Sequence, residues 1–328
     1  MKFDETIKNC RVILTEGAVI ERLNRAAADQ LDPYIVHAGL IYTQSGKNVL
    51  SKIYRQYLDI GQKYKLPIMV LAPTWRANPE RIGKSIFKTH ENINADCVRF
   101  IHEIRNDYSN YSESIYIGGL MACRGDAYRP QEALSQMEAK SFHQYQAHAL
   151  AQANVDFIMA ATLPAVSEAL GLAATLADCC VPYILSFVIR KNGAVLDGTP
   201  LHEAVEKIDA AVDPKPLCYT VNCVHPSVFE HGIRQEINHC QSLKNRVLGF
   251  QANTSSKSPE ELDGLDYLDT TAPAEFAESM LAIHQNFGIQ ILGGCCGTDH
   301  RHIEEIANQI CNPYNQKGTQ AGQAGIDY

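Results

Sequence analysis

The chain has 328 residues, of which 45% are apolar and 20% charged, with a net charge of −8. This is ordinary globular composition, long enough for one large domain or two smaller ones, and no basic cluster marks a nucleic-acid partner. No apolar run approaches the roughly 20 residues of a membrane helix and the first residues lack a signal-peptide core, so a cytoplasmic protein away from membranes is expected.

Short apolar runs alternate with amphipathic ones from end to end. A strand over 11–14 leads to Glu16 and Gly17, and a helix follows over 46–64. The next strand, 67–73, ends at Thr74 and Trp75, before a helical pattern over 79–107. Strand 114–120 and helix 131–152 precede strand 155–161, which ends at Ala161 and Thr162 and gives way to helix 165–179. Strand 182–189 is followed by helix 201–211, and strand 216–222 ends at Asn222 and Cys223 before helix 227–240. Strand 246–250 leads to Asn253 and a long polar connection over 251–273, a length that often signals function. Helix 273–286, strand 289–294, the pair Cys295–Cys296 and helix 299–310 complete the pattern.

Most of these strands are continuous apolar runs, as expected where both faces of a parallel sheet are covered. Eight strand–helix units make a (β/α)8 TIM barrel, placed over residues 1–311, with a flexible Gln/Gly-rich tail over 312–328. A doubly wound sheet uses the same elements, but no glycine-rich fingerprint follows the first strand. In a barrel, reactive groups belong at the C-terminal strand ends.

Eleven cysteines are many for such a chain, and their odd number argues against a disulfide framework. Cys179 and Cys180 read as core packing at a helix end. Cys223, Cys295 and Cys296 fall instead at the barrel mouth. Three thiolates meeting there would make a zinc site with one position open, but on spacing alone buried thiols remain an equal reading. A redox pair of Cys223 with Cys295 or Cys296 is a further alternative. Trp75, the sole tryptophan, offers a face to an onium cation or packs at the rim. Arg76 would meet a carboxylate or form a surface salt bridge. His225 suits a helix start or a supporting place behind Cys223, and His300 and His302 suit a solvated helix face. The tyrosines of 54–65, at helical spacing, suit core.

The motifs VNCVHP (221–226) and GGCCGT (293–298), in this order and separation, resemble the zinc motifs of the homocysteine S-methyltransferase family. LTEGAVIERL (14–23), the stretch 142–169 and SFVIRKNGAVLDGTPLHEAV (186–205) are similar to further family segments, so the likeness covers roughly 11–310. The resemblance implies a (β/α)8 methyltransferase in which zinc, held by Cys223, Cys295 and Cys296, activates a thiol as a zinc-bound thiolate. That thiol, homocysteine in the family, takes a methyl group from an onium donor such as S-methylmethionine, S-adenosylmethionine or a betaine. By the same resemblance Glu16, Gly17, Thr162 and Asn222 hold the acceptor, while Trp75 would face the donor by its aromatic surface alone. Three positions depart from the family pattern. Ala161 stands where a Glu usually meets the amino-acid end of homocysteine, Glu16 replaces an Asp, and LAPTWRANPERI (71–82) replaces the usual segment after strand two. A catalytically altered zinc-binding barrel, acting on another thiol or on none, is therefore the competing expectation. The oligomeric state, a homo-oligomer included, stays open.

Overall fold

Eight strands close into one parallel barrel in chain order: β1 (Ile13–Thr15), β2 (Ile68–Leu71), β3 (Ile115–Ala122), β4 (Phe157–Leu163), β5 (Tyr183–Phe187), β6 (Cys218–Asn222), β7 (Val247–Ala252) and β8 (Ile291–Gly294). Pairing of Ile13 with Ile291 and of Leu14 with Leu292 joins β1 to β8 and completes the circle. The computed structural model describes residues 2–257 and 269–312. Part of the polar connection expected over 251–273, and the tail expected after Asn312, lie outside the described residues.

The helices are α1 (Phe3–Asn9), α2 (Ile20–Ala27), α3 (Gln44–Tyr64), α4 (Pro79–Ile82), α5 (Ile93–Asn106), α6 (Gln136–Gln152), α7 (Val166–Ala177), α8 (Leu201–Ala211), α9 (Pro226–Ile233), α10 (Gln241–Arg246), α11 (Pro273–Phe287) and α12 (His300–Cys311). The pattern over 79–107 is two helices rather than one. Asn78 accepts from Arg81 N at 3.1 Å and Asn92 accepts from Ala95 N at 3.0 Å, so each starts a new helix instead of continuing an old one. The pattern over 227–240 likewise stops at Ile233.

Alternation along the strands sorts side chains into two layers. Ile13, Met69, Leu71, Phe157, Met159, Ala161, Ile184, Cys218 and Ile291 share the barrel interior. Their strand neighbours Leu14, Ile68, Val70, Ile158, Ala160, Leu185, Tyr219 and Leu292 pack outward under the helices. Helix α1 plugs the N-terminal end of the barrel. Phe3 stacks on Phe157 with centroids 4.4 Å apart and tilts on Tyr116 at 5.2 Å. With that end closed by apolar packing, the C-terminal mouth is left for chemistry.

Tyr54 and Tyr57 are fully buried core residues, as their spacing on α3 suggested. Two other expectations fail. Cys179 packs half-buried against the core as expected, but Cys180 is exposed with a φ of 56°, because α7 has already ended and the pair lies in the turn towards β5. His302 is buried rather than solvated. Its Nε2 bonds Thr271 O at 3.0 Å and its ring meets Phe276 edge-on at 5.4 Å, because the start of α12 packs against α11.

Candidate metal and substrate site

At the end of β8 the backbone turns within four residues, Gly294 to Gly297. A side chain at Gly294 would collide with Thr298, whose Oγ1 donates to Cys295 O at 2.7 Å and accepts from Ala18 N at 3.0 Å. Gly297 has a φ of +82°, and a Cβ there would strike Thr254 Oγ1. The turn thus needs glycine twice, once for close approach and once for handedness. It is tied down on both sides: Cys295 N donates to Ala252 O at 2.7 Å, Cys296 N to Asn253 Oδ1 at 3.0 Å, and Gly297 N to the Glu21 carboxylate. Asn253 therefore holds the cysteine loop.

Cys223 follows β6 with a φ of 58°, and its N–H donates to Gln251 O at 3.1 Å. Thr162, within the last residues of β4, has a φ of 60°. Non-glycine residues in the left-handed region cost about 1 kcal/mol or more and gather at functional sites. Thr162 is held by the side chain of Asn222, the residue before Cys223. Asn222 Oδ1 accepts from Thr162 N at 3.0 Å and from Ser186 Oγ at 2.6 Å, while its Nδ2 donates to Thr162 Oγ1 at 2.7 Å. Asn222 thereby locks the ends of β4, β5 and β6 into one frame.

The sulfur atoms of Cys223, Cys295 and Cys296 lie within 4.8 Å of one another, the one such three-ligand group of His, Cys, Asp or Glu among the described residues. Cys223 and Cys295 are joined as a disulfide, with Cα atoms 5.5 Å apart, and Cys296 is free. Tetrahedral zinc with Zn–S bonds of about 2.3 Å needs sulfurs roughly 3.8 Å apart, so the three side chains fit that ion once reduced.

A cavity of about 810 Å³ opens over this cluster. Glu16, Gly17, Trp75, Thr162, Asn222 and the three cysteines line it, whereas Thr74 and Asn253, also read as strand-end residues, do not. Glu16 is 6% exposed, and its Oε2 accepts from Leu71 N at 3.0 Å. Burial pushes its carboxyl up to about 8, against the partial relief of that bond. Trp75 carries the Arg76 guanidinium over its ring, 4.3 Å from the centroid. Arg76 is 7% exposed, which excludes a surface salt bridge.

Other lining residues had no clear mark in the sequence. His37 lies between α2 and α3, far from any strand end. It is buried, its Nδ1 has no partner among the described residues, and burial lowers its imidazole to about 3. Gln251, on β7, donates from Nε2 to Thr15 Oγ1 at 3.2 Å, whereas the residue expected from the sequence at this strand end is Asn253. The segment Gly125–Arg129 also lines the cavity. Its neighbours Arg124 and Leu134 donate their N–H groups at 2.7 and 3.2 Å to the buried Glu168, which also meets His143 Nε2 at 2.9 Å. His225 lies outside this set: it caps α9, its Nδ1 accepting from Ser227 N at 3.2 Å.

Over residues 13–310 the chain matches the family model described as homocysteine S-methyltransferase. It belongs to the homocysteine S-methyltransferase family. It is 27% identical over 190 residues to a homocysteine S-methyltransferase of Bacillus subtilis, covering 58% of each chain. It is 25% identical over 210 residues to an S-methylmethionine–homocysteine S-methyltransferase of Mus musculus, covering 60% of this chain and 55% of that one. The matched stretch thus spans little more than half the length of these relatives. Among solved structures, the oxidized form of the homocysteine methyltransferase MmuM of Escherichia coli shares the fold with a TM-score of 0.70 at 18% identity, covering 92% of this chain and 97% of that one. Its metallated form gives the same TM-score at 17% identity.

Proposed function

We propose that this member of the family is a zinc-dependent S-methyltransferase that moves a methyl group from an onium donor to a small thiol. The observation that carries the reading is the convergence of three cysteine sulfurs within 4.8 Å at the floor of the cavity. Cys223, Cys295 and Cys296 would hold the ion. When bound, zinc supplies Lewis acidity that lowers the pKa of a thiol sharing its open position.

The chain's own part is positioning. In the reaction the acceptor thiol gives up its proton and its sulfur bonds to the methyl carbon. The donor's bond to that carbon breaks, with both electrons staying on the leaving sulfur or nitrogen. Such a displacement gains most from two reactants held in line. Asn222 and Thr162, locked together across three strands, offer a rigid edge for the acceptor. Glu16 and Gly17 bound the opposite wall, and the ring of Trp75 would meet the donor away from the face that Arg76 covers. Homocysteine and S-methylmethionine are the first pair to try, on the strength of the relatives' names. The chemistry needs free thiols, which suits a reducing compartment such as the cytoplasm, and nine of the eleven cysteines are unpaired. No helix among the described residues is long and apolar enough to cross a membrane.

Metal analysis of reduced wild type beside Cys296→Ala, with methyl transfer to a panel of thiols, tests the reading. We expect one zinc per chain in the wild type and its loss in the variant. Stoichiometric zinc without a methylated product from any pair would leave a non-catalytic zinc barrel instead. The Cys223–Cys295 pairing favours a second reading, a redox couple, which predicts no bound metal and two thiols lost or regained with oxidant and reductant.

A further inference from the structure

The cavity wall holds a buried guanidinium that no carboxylate meets directly. Arg76 spends Nη1 on three carbonyls at the end of β3, Cys123 O at 2.8 Å, Gly125 O at 3.0 Å and Arg124 O at 3.4 Å. Its Nε and Nη2 have no hydrogen-bond partner among the described residues, and no carboxylate there forms a salt bridge with it. Glu168 and Asp126 act on it through space only. Glu168 has both oxygens engaged elsewhere, and Asp126 pairs with Arg129 at 3.8 Å. Cys123 and Arg81 are the other titratable side chains acting on Arg76, and Arg81 adds a second positive charge.

Most acids of the cavity wall are already paired with an arginine, Glu21 with Arg25 and both Asp126 and Glu132 with Arg129, while Glu16 is engaged through one oxygen only. Glu16 accepts from Leu71 N, Glu21 meets Gly297 N and Arg25, and Glu132 accepts from Arg129 Nη1 at 3.3 Å. At Ala161, whose side chain points into the barrel, a methyl group stands with nothing to offer an ammonium. A buried guanidinium with an open edge is costly until an anion meets it, and a carboxylate matches its fork in two parallel bonds. The Trp75 ring beneath it fixes the plane of that fork.

We infer that Arg76 is the anion-binding residue of this site and that the acceptor is an anionic thiol without an ammonium group, of the mercapto-carboxylate or mercapto-sulfonate class. The inference rests on the thiol-methyltransferase reading above for the acceptor's thiol, but the anion subsite stands on Arg76 alone. An amino-acid thiol also brings an ammonium, and Ala161 offers no carboxylate to meet it. A mercapto-acid brings only the charge that Arg76 lacks.

Trp75 is the sole tryptophan, so its fluorescence reports on the stacked Arg76. The metal-free chain is titrated first with butyrate and with neutral butyramide. Butyrate is expected to shift the emission saturably, at least about tenfold more tightly than butyramide, and Arg76→Gln to erase that preference while Arg76→Lys keeps part of it. The zinc-loaded chain is then given 3-mercaptopropionate, 2-mercaptoethanol and homocysteine. We expect 3-mercaptopropionate to bind at least about tenfold more tightly than 2-mercaptoethanol and no more weakly than homocysteine. Ala161→Glu, which leaves Arg76 in place, should move the preference towards homocysteine by about tenfold or more. Equal binding of butyrate and butyramide, or a tenfold preference of the wild type for homocysteine, would overturn the inference. Butyrate binding with no gain from a thiol would uphold the anion subsite and sink the methyltransferase reading. Thiol binding blind to charge would do the reverse.

Discussion

Replacing Glu16 by Gln in the metal-free protein isolates the cost of burying this carboxyl at the barrel mouth. Burial moves its pKa from 4.5 to about 8, and the side chain is 6% exposed, so little solvent screens the effect. The folded chain therefore holds this proton more tightly than the unfolded chain does. The group favours folding below pH 4.5, and that contribution is lost as pH rises through about 8. Between about pH 5 and pH 9 the wild type should lose about 4 kcal/mol that the Gln variant, with no proton to release, keeps. The Gln carbonyl preserves the acceptor for Leu71 N, so packing changes little. Denaturant unfolding at a series of pH values, on chelator-treated reduced protein, reads the difference between the two curves. Metal is left out because a dication in the same cavity would add its own charge to the balance. A difference that stays flat from pH 5 to pH 9 would refute the reasoning.

Three more outcomes follow from the geometry. Asn222→Ala strands Thr162 N, Thr162 Oγ1 and Ser186 Oγ, and should cost about 1–3 kcal/mol in thermal unfolding together with weaker thiol binding; Asn222→Asp, which keeps the acceptor, should recover part of the stability. Gly297→Ala must hold a φ of +82° against Thr254, so it should lose more than about 1 kcal/mol and release zinc faster to a chelator, which a colorimetric metal assay follows. Glu168→Ala removes the acceptor shared by Arg124 N, Leu134 N and His143, and limited proteolysis should then cut within 124–134 well before the barrel unfolds.

The barrel and its cysteine cluster were legible for a simple reason. Continuous apolar runs identify buried parallel strands, and once eight are counted the fold itself says that residues following them share a mouth. Cys223, Cys295, Cys296, Glu16, Thr162 and Asn222 needed no more than that counting to be grouped. Helix boundaries were less legible wherever a capping asparagine, such as Asn92, outcompeted the helical pattern around it.

What the chain's order could not decide is which groups end up buried and with whom. Arg76 reads equally as a surface ion-pair partner or a ligand-binding residue. Only the meeting of β2 and β3 spends one of its nitrogens on carbonyls of residues 123–125 and leaves its open edge in a cavity. His37 sits in a segment with no strand to aim it, and it reaches the same cavity through packing that no local pattern records. Burial and hydrogen-bond balance are sums over neighbours distant in sequence. The cysteine cluster was therefore readable from the letters, while the open edge of Arg76 came into view only when the barrel closed.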